Sequence, residues 1–302
     1  MTNILVTGAS GFIGSHLCNY LSLLGYDVYG TSRFPKSTKE KVPVLRSVYY
    51  WDGLSIFSIL PDPELKFDAV INLMGEPIVG RWTKAKKARL WQSRVISTRY
   101  LSESMINFTS INPKLISMSA IGFYPEGDVP MDEENEPGQG FLSSLVMEWE
   151  KSAMLSQEYG VKVTCIRTGI ILGLNGGALR RILLATKFGL GGKLGSGNQW
   201  WSWVHITDLM QFIVQVLEND LPGTYNITAP VPVKQKVFAS ELGKVLKRPS
   251  FVWVPEFLIR LVFGEFSQEL LGSRRILPNK TQSIGYVFSF NDLNDALKEL
   301  LT

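Results

Sequence analysis

The sequence predicts an α/β protein built on a Rossmann-type, doubly wound parallel sheet, with a smaller, mostly helical C-terminal lobe. The first two-thirds of the 302-residue chain alternates short β-branched runs with helical patterns, which is typical of consecutive βαβ units. The first of these units carries a glycine-rich turn between its strand and its helix. After Ala229 helical patterns dominate, which is why the last part of the chain is predicted as a separate lobe.

The predicted elements follow from local composition. Runs rich in β-branched and aromatic residues give seven strands, at Asn3–Thr7, Asp27–Thr31, Val44–Trp51, Ala69–Asn72, Lys114–Ser119, Val161–Arg167 and Thr224–Thr228. Apolar residues spaced by three and four give three helices, at Phe12–Leu24, Thr83–Ile106 and Leu142–Gln157. Ligands of such sheets bind beyond the carboxyl ends of the strands, so the residues after each strand are the candidate ligand contacts.

Two discontinuous domains are predicted. Residues 1–173 and 204–229 form the Rossmann-type domain, whereas residues 174–203 and 230–302 form a substrate lobe that closes over the ligand-binding edge of the sheet. The acidic run Glu126–Glu136 is expected to be a solvated loop.

Composition excludes several classes of protein. A net charge of +4 is too small and too dispersed for a nucleic-acid partner. The two cysteines, Cys18 and Cys165, lie in apolar segments and are expected to be buried thiols in a reducing compartment. Two histidines and two cysteines far apart give no metal-ligand spacing. We expect a soluble protein of the cytoplasm or an organelle matrix, with a small-molecule substrate and no membrane partner, and a homodimer is left open.

The glycine turn predicts a dinucleotide site. Gly8, Gly11 and Gly14 follow the first apolar strand and lead into a helix. Glycines at this spacing allow a tight turn and a close approach of the backbone to a pyrophosphate, and the free amides at the helix start receive its charge.

The end of the second strand predicts a preference for NADP(H) over NAD(H). An NAD site usually has a carboxylate there for the ribose hydroxyls, but this chain has Ser32 and Arg33, with Lys36 nearby. Arg33 can pair with a ribose 2′-phosphate while Ser32 donates a hydrogen bond. The alternative is that Arg33 is an ordinary surface residue.

Later motifs resemble those of extended short-chain dehydrogenases/reductases, within the NAD-dependent epimerase/dehydratase superfamily. Within that group the chain is similar to the "epimerase family" proteins with a C-terminal DUF1731 domain, which residues 249–301 resemble. The matching segments cover nearly the whole chain in order and are Asn72–Ile78, Arg81–Thr83, Ser93–Arg94, Ser119–Tyr124, Arg167–Gly173 and Gly195–His205.

The resemblance implies a set of cofactor contacts. Its pyrophosphate loop corresponds to Gly8, Ser10, Gly11, Phe12 and Ile13, with Gly14 as the third glycine of the turn. The remaining implied contacts are Ser32 and Arg33 at the 2′-phosphate, Asp52 at the adenine, Leu73, Met74 and Gly75 along the cofactor, Ser119 at a substrate oxygen, and Gly169 and Ile170 beside the nicotinamide.

The tyrosine–lysine pair used for proton transfer in this superfamily is missing. None of the ten tyrosines has a lysine four residues later, and the expected position falls at Phe141–Leu145. The remaining candidate catalytic residues are Ser119, Tyr124 and His205. Tyr124 could instead only cover the cofactor, and His205 could be a buried structural histidine.

The candidate substrate residues also have structural alternatives. Glu76 and Arg94 could contact substrate or form a structural ion pair. Aromatic side chains could stack a ring or only pack the lobe, beside cations able to neutralise phosphate; these are Trp82, Trp200, Trp201 and Trp203, with Arg180, Arg181 and Lys193.

Two functions are compatible with the sequence. The first is an NADP(H)-binding oxidoreductase or epimerase that acts on a small molecule, for which a nucleotide sugar is one candidate. The alternative is a catalytically inactive NADPH-binding sensor or regulatory protein.

Overall fold

The computed structural model describes residues 2–57 and 64–302 of the protein. Its strands are β1 (Asn3–Thr7), β2 (Asp27–Ser32), β3 (Val48–Tyr50), β4 (Phe67–Asn72), β5 (Thr109–Ala120), β6 (Gly127–Met131), β7 (Lys162–Thr168), β8 (Ile170–Leu172), β9 (Gly192–Leu194), β10 (Trp200–Trp201), β11 (Trp203–His205), β12 (Gly223–Ile227), β13 (Val233–Lys234), β14 (Val252–Val254) and β15 (Arg274–Ile276).

The α-helices flank the strands and fill the C-terminal part. They are α1 (Phe12–Leu23), α2 (Pro35–Lys41), α3 (Lys84–Trp91), α4 (Ser97–Phe108), α5 (Phe141–Met154), α6 (Gly177–Lys187), α7 (Ile206–Glu218), α8 (Gln235–Leu246), α9 (Glu256–Phe263), α10 (Ser267–Leu271), α11 (Asn279–Ser283) and α12 (Leu293–Leu301).

The central sheet has seven parallel strands in the order β12-β7-β5-β4-β1-β2-β3. This confirms the predicted Rossmann-type, doubly wound sheet. The strand order reverses between β1 and β4, because the chain builds outward from β1 in one direction and then from β4 in the other. A crevice at the carboxyl ends of these two strands is therefore the expected ligand site.

Alternating side chains divide the core into layers on the two sides of the sheet. On β1, Ile4 and Val6 join the apolar cluster that contains Leu17 of α1, whereas Leu5 joins the cluster that contains Leu101 of α4. A third cluster lies in the C-terminal lobe, where Trp201, Trp203 and Phe238 pack with residues of α6, α8 and α12.

The seven predicted strands all occur in this sheet, but β3 is shorter than the predicted Val44–Trp51. The segment before it is a turn closed by a hydrogen bond from the Leu45 amide to the Val42 carbonyl. The predicted helix Thr83–Ile106 is interrupted by a π-helical turn, Gln92–Ile96, between α3 and α4. The acidic segment is not only a loop, since β6 pairs in parallel with β15.

Other predictions concern burial. Cys18 and Cys165 are both buried free thiols, as predicted, and burial raises the pKa of Cys18 to about 12.

Over residues 2–57 and 64–302, no helix is long and apolar enough to span a membrane, and no group of three or more His, Cys, Asp or Glu side chains could hold a metal ion. The domain boundaries at residues 173, 203 and 229 stay predictions.

Candidate functional site

The glycine turn lies at the carboxyl end of β1 with the geometry of a phosphate loop. Gly8 has a φ of +70°, and a Cβ there would lie 2.8 Å from the Leu73 carbonyl oxygen. A Cβ on Gly14 would lie 2.3 Å from the Gly8 oxygen, so the helix packs directly on the turn. Since no side chain caps α1, the amides of its first turn are available to a phosphate.

The walls of this loop come from distant parts of the chain. The Leu73 amide donates to the Thr7 carbonyl, which holds the segment after β4 beside the glycine turn. On the other side, a Cβ on Gly176 would lie 2.5 Å from Phe12. Close packing also explains Gly169, where a Cβ would lie 2.1 Å from the carbonyl oxygen of Ser202. The predicted cofactor residues of β1, β4 and β8 are thus brought together.

The second strand ends in a polar corner. Ser32 Oγ accepts hydrogen bonds from the Phe34 amide at 3.0 Å and from Thr38 Oγ1 at 2.7 Å, which leaves its own hydrogen for donation outward. Arg33 is exposed, and no carboxylate of the described chain lies within ion-pair distance of it. Lys41 Nζ donates to the Ser10 carbonyl at 2.5 Å and adds a cation beside the glycine turn.

Asp52 lies past β3, where its carboxylate accepts a hydrogen bond from the Leu54 amide at 2.9 Å. Its neighbour Gly53 contacts Met74, because a Cβ on Gly53 would lie 2.7 Å from the Met74 methyl carbon. The segment after β3 therefore packs against the segment after β4, and the adenine contact of Asp52 stays a prediction.

The π-helical turn holds the backbone that follows β4. Ser93 Oγ accepts a hydrogen bond from the Glu76 amide at 2.9 Å, and Arg94 Nη1 donates to the Glu76 carbonyl at 2.9 Å. The Glu76 carboxylate pairs with Lys86 at 2.8 Å rather than with Arg94. Burial lowers the pKa of Arg94 to about 10, and the Glu76 charge opposes that effect. π-Helical turns are often found at functional sites, which fits this clamp.

A buried ionic network lies behind the end of β5. Ser119 Oγ donates to Glu150 Oε1 at 2.5 Å, and Arg167 holds both oxygens of that carboxylate, at 2.7 and 2.8 Å. The side chains of Arg167 and Glu150 are only 6% and 11% exposed, so the pair is shielded from water. Such bidentate contacts fix the carboxylate and, through it, the Ser119 hydroxyl.

Tyr124 belongs to the same network. Its hydroxyl accepts from Arg167 Nη1 at 2.9 Å and donates to Asn226 Oδ1 at 2.8 Å, and the residue is only 1% exposed. Burial raises the pKa of Tyr124, although the Arg167 charge opposes the effect. Tyr124 is therefore a poor base at neutral pH in this arrangement.

A cleft of about 440 Å³ opens at the N-terminus of α5, where the tyrosine of related enzymes was expected. We call it the α5 cleft. Phe141 contacts Trp82, with ring centroids 5.4 Å apart, and both line the cleft. Its full lining is Trp82, Tyr124, Pro125, Glu126, Pro137, Gly138, Gln139, Gly140, Phe141, Leu142, Glu265, Gln268, Glu269 and Arg274.

The other tryptophans occupy structural positions. Trp201 packs edge-on against Phe238 at 5.3 Å, and Trp203 is fully buried with its indole N–H donated to the Val231 carbonyl. Trp200 lies between two cations, Lys234 at 4.1 Å and Arg275 at 4.6 Å from its ring. None of the three lines the α5 cleft.

His205 is also held by structural contacts. Its Nδ1 accepts a hydrogen bond from the Thr207 amide at the start of α7, and its Nε2 lies 3.0 Å from Glu299. This arrangement fits the neutral ring with its hydrogen on Nε2. Burial lowers the pKa of His205 against the opposing charge of Glu299.

The structure thus joins Ser119 and Tyr124 but places His205 in separate contacts. Glu150, Glu126, Glu269 and Arg274 were not predicted as site residues. Arg167 could have been recognised from the sequence, because it begins the Arg167–Gly173 motif and a charged residue at the end of an apolar strand needs a partner. Its partner Glu150 is the tenth residue of α5, and no local pattern marked it as a site residue.

Comparisons with known proteins agree on the family. Residues 4–228 match the NAD dependent epimerase/dehydratase family, and residues 254–300 match the domain of unknown function DUF1731. An epimerase family protein of Staphylococcus haemolyticus is 35% identical over 304 residues, covering 100% of this chain and 99% of the relative. A Staphylococcus aureus relative is 34% identical, with 100% of both chains covered.

Solved structures show the same similarity. The human epimerase family protein SDR39U1 (isoform 2) with NADPH superposes with a TM-score of 0.88 at 30% identity, covering 99% of each chain. A nucleoside-diphosphate sugar epimerase of Corynebacterium glutamicum gives a TM-score of 0.77 at 28% identity, covering 99% of this chain and 58% of the other. UDP-glucuronic acid 4-epimerase of Bacillus cereus in complex with NAD shares the fold at 20% identity, with a TM-score of 0.78.

Proposed function

Because the chain belongs to the NAD dependent epimerase/dehydratase family, we propose that it is an NADP(H)-dependent oxidoreductase or epimerase of a small molecule. The observation that carries the proposal is the glycine turn at the β1–β4 switch point, with an uncapped helix start and the crowded backbone at Gly8. These residues fit a dinucleotide pyrophosphate, because the amides at the start of α1 have no side-chain cap and the glycines before them leave the backbone open to a close approach.

The preference for NADP(H) is supported by the corner at Ser32 and Arg33. Ser32 has both lone pairs occupied and one hydrogen left to donate, and Arg33 is an exposed cation next to it. A 2′-phosphate would satisfy both groups. The human relative, whose structure contains NADPH, is consistent with this preference.

Titration by cofactor fluorescence tests the preference. Wild-type protein is expected to bind NADPH more tightly than NADH, and Arg33→Ala is expected to weaken NADPH binding by about 1.5–3 kcal/mol while leaving NADH binding unchanged. Lys151→Ala, which removes an exposed cation of α5 that has no place in the predicted cofactor site, is the matched control. Equal wild-type affinities for NADPH and NADH, or an unchanged preference for NADPH in Arg33→Ala, would contradict the proposed 2′-phosphate contact.

NADP(H), when bound, supplies the hydride chemistry, and this chain must handle the substrate oxygen. Ser119 is proposed to orient that oxygen, because its hydroxyl lies at the carboxyl end of β5 and can turn from Glu150 toward a ligand. Glu150 and Arg167 act as positioning residues, since they hold Ser119 through a fixed carboxylate. Tyr124 is coupled to Ser119 through the same guanidinium.

Substrate turnover tests this assignment. Ser119→Ala and Tyr124→Phe are each expected to lower kcat, whereas Phe141→Tyr should leave it within a few-fold. A new phenol at Phe141 would have no lysine one turn later on α5, and the nearby Lys87, 4.9 Å from this ring, is already paired with Glu265, so the tyrosine–lysine pair of the superfamily would not be restored. Full activity in both the Ser119 and Tyr124 variants would place the chemistry elsewhere.

A second candidate function, NADPH sensing without turnover, is favoured by one observation. The Ser119 and Tyr124 hydroxyls both already donate to internal acceptors, Glu150 and Asn226. The open α5 cleft favours chemistry instead, because a sensor has no need of a polar cavity of this size beside the site. Tight NADPH binding by the wild-type protein, together with no turnover of any substrate class, would support the sensor function.

A further inference from the structure

The α5 cleft lies where the proposed function needs its substrate, and the following inference rests on that function. It is formed by the segment after β5, the start of α5 and residues of the C-terminal lobe. This is the carboxyl edge of the sheet, and a volume of about 440 Å³ is within the range of small-molecule sites.

The wall of the cleft is acidic. Its charged lining residues are three carboxylates, Glu126, Glu265 and Glu269, and one guanidinium, Arg274. Lys87, which is not itself a lining residue, pairs with Glu265 at 2.5 Å and lies 4.9 Å from the ring centre of Phe141. Even with Lys87 included, the carboxylates outnumber the cations by three to two.

Three of the five N–H donors of Arg274 are already used within the protein, and two of them bind the Glu269 carboxylate. Its Nε donates to the Tyr124 carbonyl at 3.0 Å, and Nη1 donates to Glu269 at 2.8 Å. The Nη2 atom of Arg274 also lies 3.9 Å from the Glu126 carboxylate. Arg274 therefore neutralises its own neighbours and is a poor partner for an incoming anion.

Glu126 is the carboxylate with spare capacity. Its side chain is 50% exposed, and Arg274 at 3.9 Å is its ion-pair partner in the described chain. It also borders a second cavity of about 140 Å³, so the two cavities meet at Glu126 and Gln268. Burial raises the pKa of the neighbouring Glu269, and the charge of Glu126 adds to that effect while Arg274 opposes it.

These charges do not suit a nucleotide sugar. Its diphosphate needs arginine or lysine side chains whose charge is not already neutralised, and the one cation of the described lining, Arg274, is paired with both Glu269 and Glu126. The cations that the sequence offered for phosphate, Arg180, Arg181 and Lys193, line neither cavity.

From this arrangement we infer that the substrate of the α5 cleft is a small molecule bearing a positively charged amine, bound through Glu126, and not a nucleoside-diphosphate sugar. The carboxylate of Glu126 accepts the ammonium hydrogens. Trp82 and Phe141, which also line the cleft, provide aromatic surface for the rest of the molecule.

A cysteine placed in the cleft reports its charge preference directly. Gln139 lines the cleft and is exposed, whereas both native cysteines are buried, so Gln139→Cys provides a single reactive thiol. The rates of modification by a cationic methanethiosulfonate (the trimethylammonium-ethyl reagent) and an anionic one (the sulfonatoethyl reagent) are each divided by the rate with 2-mercaptoethanol. The cationic reagent is expected to be favoured by about ten-fold or more at low salt.

The matched variants change only Glu126. Adding Glu126→Gln to Gln139→Cys should reduce the cationic preference several-fold, and adding Glu126→Lys should abolish or reverse it. UDP-glucose should fail to protect the introduced thiol from the neutral methyl reagent in the NADPH-bound protein. An equal or faster reaction with the anionic reagent, or protection by UDP-glucose, would overturn the inference.

NADPH binding, measured by fluorescence on the same variants, separates this inference from the proposed function. If NADPH does not bind but the thiol still reacts faster with the cationic reagent, the proposed function fails and the preference of the cleft for cations stands. If NADPH binds but the preference is absent, this inference alone is overturned.

Discussion

The buried pair of Glu150 and Arg167 should contribute more to stability than the exposed ion pairs of this protein. Glu150→Gln keeps the shape of the side chain but removes its charge, leaving the Arg167 guanidinium buried at the end of β7. Breaking one partner of a buried pair costs about 3–5 kcal/mol, because the remaining charge loses its compensation. For a chain of this length the loss corresponds to a decrease in Tm of about 5–8 °C.

Urea unfolding followed by tryptophan fluorescence and far-UV circular dichroism measures this change in the free energy of unfolding. The matched control is Glu103→Gln, which removes the partner of the exposed Arg99 on α4 and should have no measurable effect. A double variant, Glu150→Met with Arg167→Met, should recover part of the loss because no unpaired charge remains. If Glu150→Gln is no less stable than the Glu103→Gln control, the network does not hold Ser119 as described.

Two further predictions concern the glycine turn and the histidine. Gly8→Ala should abolish NADPH binding in a fluorescence titration, because its Cβ would collide with the Leu73 carbonyl. The control is Gly25→Ala, which should bind NADPH normally because Gly25 also has a positive φ but its Cβ would meet nothing within 4 Å. Normal binding by Gly8→Ala would contradict the phosphate-loop assignment. His205 has a lowered pKa in the folded protein, so the unfolded chain binds the proton more readily, and the stability contributed by the neutral ring is complete above about pH 6.5 and lost as the pH falls below it. His205→Asn keeps a helix cap and should flatten that loss in urea titrations between acidic and neutral pH, with turnover unchanged; an identical pH dependence would assign the acid sensitivity to another group.

The central sheet could be predicted from the sequence because its strands are short β-branched runs buried on both faces. The cofactor crevice could be predicted as well, since Gly8, Gly11 and Gly14 are adjacent in the chain and act through the backbone. Ser32 and Arg33 likewise lie together at the end of one strand, so a local pattern was enough to predict the 2′-phosphate contact, which stays a prediction.

The ionic network and the cleft could not be predicted because their partners are brought together only by folding. Glu150 and Arg167 belong to a helix and a strand whose register no local pattern reveals. Glu126 looks like one of several acidic loop residues until β6 pairs with β15, which begins at Arg274, far along the chain. The π-helical turn that presents Ser93 and Arg94 likewise has no distinct sequence pattern.

The most direct test of the account is a crystal structure of the protein with NADPH. The account predicts the pyrophosphate at the glycine turn before α1, the 2′-phosphate within hydrogen-bond distance of Ser32 and Arg33, and the nicotinamide between Gly169 and Ser119, facing the α5 cleft. A 2′-phosphate directed away from Arg33, or a nicotinamide separated from the cleft by apolar side chains, would contradict it.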